Sequence, residues 1–287
     1  MENKQRNIGP YLNYLKKLAI GLVAVIAAVA FTELILGRLI GLSAMPETSR
    51  NIINTLADIT MAMLAYIITF RTLEKRDIKE LAISNFAHNA GFGFGIGLFL
   101  QGFPILILVL LGGYSVIQTN PVSSLLPSFA TALMAGFVAE LLIRGVFFRL
   151  TEEVFGTTIA LIISVMLFAV IHSFGKNASF LSVSATSIVA GILLPATFIY
   201  SRSLWLPIFI HFARDWAEPG IFGGINPGNS ITESWLTSQI KGSSILTGGQ
   251  MGPQNSIQSL ILCAILAFLF LWMGKKKKHF INPIWSK

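Results

Sequence analysis

Three pairs of residues, each four positions apart and each set in an apolar run, hold the side chains of this sequence that can do chemistry. They are Glu140 with Arg144 in VAELLIRGVFFRL, Phe168 with His172 in LFAVIHS, and His211 with Asp215 in PIFIHFARDW. A spacing of four puts both members of a pair on one face of a helix. Ionisable groups inside membrane-length apolar segments are costly, so they face one another or a water-filled cavity. The pattern predicts one intramembrane site assembled from three helices. Each pair alone has a plainer reading: a salt bridge within one helix for Glu140 and Arg144, an interfacial histidine for His172, and a hydrogen-bonded pair holding a short helix for His211 and Asp215. Scarcity is what joins them. The other charges in the apolar segments are chiefly Glu33, Asp58 and Arg214.

The elements that must position these residues follow from composition. The chain has 287 residues, 54% hydrophobic and 12% charged, with a mean hydropathy of +0.71. Soluble domains carry about 25% charged residues. Runs of roughly 20 apolar residues, enough to span a bilayer, recur along the chain. The expected fold is therefore an all-α, polytopic transmembrane helical bundle, forming a single integral membrane domain over 1–287 with no appended soluble domain. Eight helical segments are predicted, near 18–37, 51–70, 90–113, 127–149, 157–174, 183–201, 204–217 and 256–274. The seventh is short for a span and opens with LWLP, where Pro207 suits a first helical turn, so it is expected to lie inside the bundle.

The net charge of +8 is not a nucleic-acid signature, because the basic residues sit at helix ends. With the N-terminus inside, the inner segments hold Lys4, Arg6, Lys16, Lys17, Arg71, Lys75, Arg76, Lys79, Arg149, Arg202, Lys275 to Lys278 and Lys287, fifteen in all. The outer loops hold four: Arg38, Arg50, Lys176 and Lys241. That bias predicts both termini in the cytoplasm and basic ends resting on membrane lipid. Cys263 is the single cysteine and lies in the last apolar segment, which excludes an intrachain disulfide. The chain is polar up to Lys17 and no small-residue cleavage site follows, so the first apolar run is expected to stay as a span.

One long loop, 218–255, is rich in Gly, Pro, Ser and Asn and is expected on the outer side, either as a lid over the site or as a plain connector. In GFGFGIGLF, Gly91 with Gly95 and Gly93 with Gly97 make two small-xxx-small pairs suited to close helix packing in a membrane. No strand precedes them and no matching acidic residue follows, which argues against a nucleotide-binding loop.

ELLIRG, FAVIH and HFARD, in that order on successive helices, resemble the CAAX-protease and bacteriocin-processing family of intramembrane endopeptidases. The family pattern is Glu-Glu-xxx-Arg, Phe-xxx-His and His-xxx-Asn/Asp, and the resemblance covers about 125–217, a catalytic-motif core. It implies that Glu140 is the second glutamate of the first motif and Arg144 its arginine, that Phe168 and His172 are the second motif, and that His211 and Asp215 are the third. In the family, the first glutamate and the second-motif histidine are thought to activate water, while the third-motif residues stabilise the oxyanion. The implied partner is a membrane-associated peptide or protein substrate, and the implied location a bacterial cell membrane.

The departure is Ala139, which stands where the family carries its first glutamate. Adjacent helical residues point about 100° apart, so Glu140 cannot take over that direction. Pairing with Arg144 also lowers the basicity of Glu140, whereas water activation wants a base that titrates near the working pH. Asp215 raises a second question, because an ionised aspartate repels an oxyanion. As a metal ligand it would serve well, and His172, His211, Asp215 and Glu140 are a candidate zinc set. The family is described as metalloproteases, so zinc is the one cofactor to consider; the absence of HExxH excludes a zincin-type site.

Three readings follow. One is an intramembrane endopeptidase with reduced or no activity. Another is a non-catalytic immunity or scaffold protein that binds a peptide in the former active-site cavity, and Ala139 favours it. The last is a transporter with a midplane charge relay, disfavoured by the lack of a visible inverted repeat and of paired broken helices.

Overall fold

The structure is a computed structural model that describes residues 8–42, 44–174, 179–225 and 234–286. Lys4, Arg6, Lys176 and Lys287 of the charge count, and residues 226–233 of the long loop, lie outside the described residues. The helices in chain order are α1 (Gly9–Gly41), α2 (Glu47–Glu74), α3 (Phe86–Leu110), α4 (Leu126–Glu140), α5 (Arg149–Ser173), α6 (Phe180–Ser201), α7 (Trp205–Trp216) and α8 (Ile257–Lys276). The widened π-helical turns Leu141–Phe148 and Ala217–Phe222 extend α4 and α7.

Among the described residues, six helical stretches are long and apolar enough to cross a membrane. One of them, Val122–Ser173, has 52 residues; at about 1.5 Å per residue it would be more than twice a hydrocarbon core of about 30 Å. Gly156 resolves this. Its φ of 79° and ψ of 162° break the helix inside α5, so the stretch contains the two segments expected at 127–149 and 157–174. With α7, the expected eight segments are all present, and the polytopic helical bundle holds.

Outside the apolar segments the chain departs from all-helix. Gly112, at φ 70°, turns the chain after α3 into β1 (Tyr114–Thr119), whose YSVIQT sequence favours an extended backbone. The long loop supplies β2 (Gly224–Ile225) and β3 (Leu236–Ile240), giving a sheet of order β1-β3-β2. β1 pairs antiparallel with β3, Tyr114 opposite Ile240, and β2 pairs parallel to β3. The described part of the loop is thus tied to the end of the bundle, not an irregular connector.

Helix α7 explains how a short apolar segment is accommodated. It is wedged between α3 and α4, with Leu206, Ile208, Ile210 and Ala213 fully buried. A Cβ added at Gly93 would lie 2.7 Å from the Leu206 carbonyl oxygen, and one at Gly97 2.6 Å from that of Ile210. On α4, a Cβ at Gly136 would lie 3.1 Å from the Ile208 oxygen. Only one of the two expected glycine pairs makes the close approach: Gly91 and Gly95 have nothing within 4 Å. Large apolar residues such as Leu34, Phe99 and Phe268 stay exposed on the bundle's outside, as a lipid-facing surface requires.

At the end of the bundle where α2 stops, charges form a web. Glu74 takes Lys17 at 3.1 Å, Arg76 at 2.6 Å and Arg149 at 3.0 Å. Glu80 takes Arg76 at 2.7 Å and accepts the Tyr66 hydroxyl at 2.7 Å. The C-terminal tail folds back to the same end. Thr157 N–H donates to Ile281 O at 3.0 Å, Ile281 N–H donates to Thr157 Oγ1 at 2.8 Å, and Arg202 bridges Glu152 at 2.6 Å while reaching the His279 carbonyl.

Gly97→Ala should therefore force α3 and α7 apart at a cost of about 1–3 kcal/mol, while Gly95→Ala should stay within about 0.5 kcal/mol of the parent. Thermal unfolding in detergent separates the two, and equal losses would contradict the packing. The web predicts a pH dependence as well. Burial pushes the Glu80 carboxyl up, but the hydrogen bonds from Arg76 and Tyr66 outweigh it and hold the group below its ordinary 4.5. A carboxyl held low in the folded state stabilises fully above its unfolded value and loses that contribution as pH falls through the folded one. The stability gap between the parent and Glu80→Gln should therefore be widest at neutral pH and close on acidification below 4.5.

Candidate active site

Glu140 is the last residue of α4 before the backbone widens into its π-helical turn, a feature frequent at functional sites. Its carboxyl is fully buried. One oxygen, Oε1, accepts two hydrogen bonds, from Arg144 Nη1 at 2.9 Å and from His211 Nδ1 at 2.8 Å. The other oxygen and Arg144 Nε have no hydrogen-bond partner among the described residues.

Arg144 reaches further, and through it the first motif meets the second. Its Nη2 donates to the Ala190 carbonyl on α6. That carbonyl is left open by the local sequence: Leu194 N–H goes to Val189 O in the widened turn, and the next residue, Pro195, has no N–H. The guanidinium also lies over the Phe168 ring, 5.3 Å from its centroid. Phe168 therefore presents a π-face to a buried cation, which gives the Phe-xxx-His spacing a physical reason. Four residues on, His172 Nδ1 bonds the Phe168 carbonyl oxygen at 3.0 Å.

On α7, His211 Nε2 faces Asp215 Oδ2 at 3.2 Å. Carboxylate oxygens only accept, so both bonds of His211 form together only when the ring carries both its protons. Glu140, Arg144, His211 and Asp215 then make an electrically balanced chain, two anions alternating with two cations. A buried charge survives only when it is paired and hydrogen-bonded, and each member of this chain supplies that condition for the next.

A cavity of about 260 Å³ opens on this chain. Phe168 and His172 line it from α5, and His211 and Asp215 from α7. Val189 and Ile210 give it apolar walls, while Gln254 and Asn255, just ahead of α8, add amides to the lining. The long loop thus contributes its final stretch to the cavity. Glu140 and Arg144 stand behind His211 and are not on the cavity wall. Of the five expected site residues, the structure joins four in one chain and sets His172 across the same cavity. Ala139 is next to Glu140, partly buried, and also off the wall.

The candidate zinc set does not fit an ion in this arrangement. Among the described residues, no three His, Cys, Asp or Glu side chains come close enough to share a metal. Both nitrogens of His211 are engaged by carboxylates, so it has no lone pair to offer a metal alongside His172.

Further polar residues on or beside the cavity were not assigned to the site from the sequence. Arg214 lines it, donating from Nη2 to Gln254 O at 2.8 Å. Glu218 accepts from Gln101 Nε2 at 2.9 Å and from Gln254 N–H at 3.3 Å. Glu218 is seven residues beyond His211, on the same helical face, but a helix ended at 217 consigns it to the loop. Pro219 and Gly220 follow it directly, so the sequence held no signal that the helical backbone runs on through Phe222.

Residues 121–217 match a family model described as "Rce1-like: Type II CAAX prenyl endopeptidase Rce1-like". The match takes in all three motifs and the whole charged chain, and it supports the resemblance to the CAAX-protease family. No curated protein and no solved structure matched the chain.

Glu140→Gln removes the anion that both Arg144 and His211 depend on and leaves a buried guanidinium uncompensated, so it should cost about 3–5 kcal/mol. Asp215 is 34% exposed, where a charged pair contributes about 0–1 kcal/mol, and Asp215→Asn should be correspondingly mild. Denaturant titration in detergent would read both; comparable losses would mean that Glu140 is not the centre of the chain.

Proposed function

We propose that this chain, which carries a CAAX-protease-family core, is an intramembrane endopeptidase of reduced activity that cleaves a membrane-associated peptide or protein tail by direct attack of water. One observation supports the reading above the others: two histidines face one cavity from different helices, and only one of them is committed to carboxylates. The Phe168 carbonyl can only accept, so His172 Nδ1 carries the proton of the neutral ring and Nε2 offers a lone pair. His172 is then the general base. His211, protonated and held by Glu140, is the electrophile, with its Nε2–H shared with the partly exposed Asp215.

In this scheme a water gives its proton to His172 Nε2 while its oxygen bonds the scissile carbonyl carbon. The carbonyl electrons move onto oxygen, next to His211 Nε2–H, which leaves Asp215 for the oxyanion. Collapse breaks the C–N bond, and His172 returns its proton to the departing amine. Glu140 and Arg144 are positioning residues, since neither reaches the cavity. No acyl-enzyme is involved: Cys263 is buried on α8 and is not part of the cavity lining. No step passes through a metal.

Ala139 explains the reduced activity. It takes away the carboxylate that would assist His172, and Glu140, bound to two cations at once, cannot stand in. Such assistance is worth about 10²–10⁴-fold in rate. Ala139 also favours a second reading, a non-catalytic immunity or scaffold protein that holds a peptide in the same cavity.

A cleavage assay in liposomes, using a pool of membrane peptides and a prenylated CAAX peptide, decides between them. Slow cleavage by the parent, a gain of about 10²-fold or more in Ala139→Glu, and background rates in His172→Ala are the expected results. An inert parent with an active Ala139→Glu would support the binding reading, and undiminished cleavage by His172→Ala would remove His172 from the mechanism.

A further inference from the structure

The cavity and the basic residues lie at opposite ends of the bundle. At one end Lys17 and Arg149 meet on Glu74, which closes α2. Arg202, closing α6, reaches His279 O in the tail, and Lys275 to Lys278 end α8 beside it. These contacts place the inner loops and the C-terminal tail on one face. The cavity is built from the other termini. His172 is one residue from the end of α5, Asp215 is in the last α-turn of α7 before its π-helical extension, and Asn255 is two residues ahead of α8. Residues 257–274 of α8 separate Asn255 from the lysine run, a rise of about 27 Å.

Among the described residues outside the spans' interior, the basic face also carries Lys75, Arg76 and Lys79, while the cavity end carries Arg38, Arg50 and Lys241. Lys and Arg near span ends select the cytoplasmic side, and each adds about 1 kcal/mol of attraction to an anionic cytoplasmic leaflet. We infer that the cavity opens on the non-cytoplasmic side of the membrane, so that its substrate is an exported or outward-facing polypeptide segment presented from the outer leaflet. The walls agree with such a guest: apolar Val189 and Ile210 suit a side chain leaving lipid, and the amides of Gln254 and Asn255 suit the wet end of the same peptide. A cytoplasmic prenylated tail would have to cross the bilayer to arrive.

The substrate class rests on the peptidase reading, but the orientation does not, and cysteine labelling tests it without any cleavage. In a Cys263→Ala background, Ser244→Cys reports the cavity end, and Ser286→Cys and Thr72→Cys report the basic end; all three positions are exposed. A membrane-impermeant maleimide should label Ser244→Cys on intact cells and label the other two only after permeabilisation, with at least a tenfold contrast. The reverse pattern, or equal labelling of both ends on intact cells, overturns the inference and returns the cavity to the cytoplasm. If the orientation holds, the peptidase reading can still fail on its own assay, so the two are separable.

Discussion

A single carboxylate oxygen, Glu140 Oε1, holds the site together. Arg144 and His211 both donate to it, Arg144 from a fully buried position and His211 from the cavity wall. Ionising a group in such surroundings is affordable only with a partner in place, so each charge fixes the next. Arg144 anchors to α6 through Ala190 and to α5 through Phe168, and His211 anchors to Asp215 along α7. Four helices are thereby set relative to one another by groups that chemistry would otherwise exclude from a membrane.

That chain tolerates little movement, which explains the demands on the packing around it. His211 can meet Glu140 only if α7 lies hard against α3 and α4, and side chains at Gly93, Gly97 or Gly136 would prevent it. In lipid no hydrophobic force drives helices together, so small residues and satisfied polar contacts must do so. The glycines bring α7 close, and the charged chain fixes its rotation. Local widening does the rest: the π-helical turns after Glu140, at Val189–Leu193 and after Trp216 lie next to Arg144, Ala190 and Glu218.

How much of this could be read from the residues differs by interaction. The three motifs were legible because a charge inside an apolar run has few explanations, and the spacing of four gave each pair its shared face. Phe168 was legible only as a motif letter; its role beneath Arg144 depends on helices 24 residues apart in sequence, whose orientation no local pattern encodes. Periodicity could not separate Gly93 and Gly97 from Gly91 and Gly95, since both pairs have the same spacing and only the neighbour's position distinguishes them. Glu218 and Gln254 were missed because glycine and proline near 219–224 suggest an early helix end. The sheet escaped for the opposite reason: β1 and β3 are about 120 residues apart, and each is too short and too plain to announce itself.

The same chain bears on what Ala139 means. Glu140, Arg144 and His211 hold each other in place whether or not water is being activated, so losing Glu140 would destabilise the fold as well as the site. Position 139 is outside that web, and replacing a glutamate there with alanine disturbs no buried partner. On the proposed peptidase reading, alanine at 139 would remove the base while leaving the cavity, its charges and the stability of the bundle in place. The motif residues that persist are the ones the fold itself needs, which is why their presence identifies the scaffold more firmly than the activity. His172 is the informative exception. Its ring makes one hydrogen bond, to the carbonyl of its own helix at Phe168, and its other nitrogen serves no described structural contact. A side chain that the fold does not require, on a cavity that His211 also lines, is the one on which the proposed peptidase reading depends most.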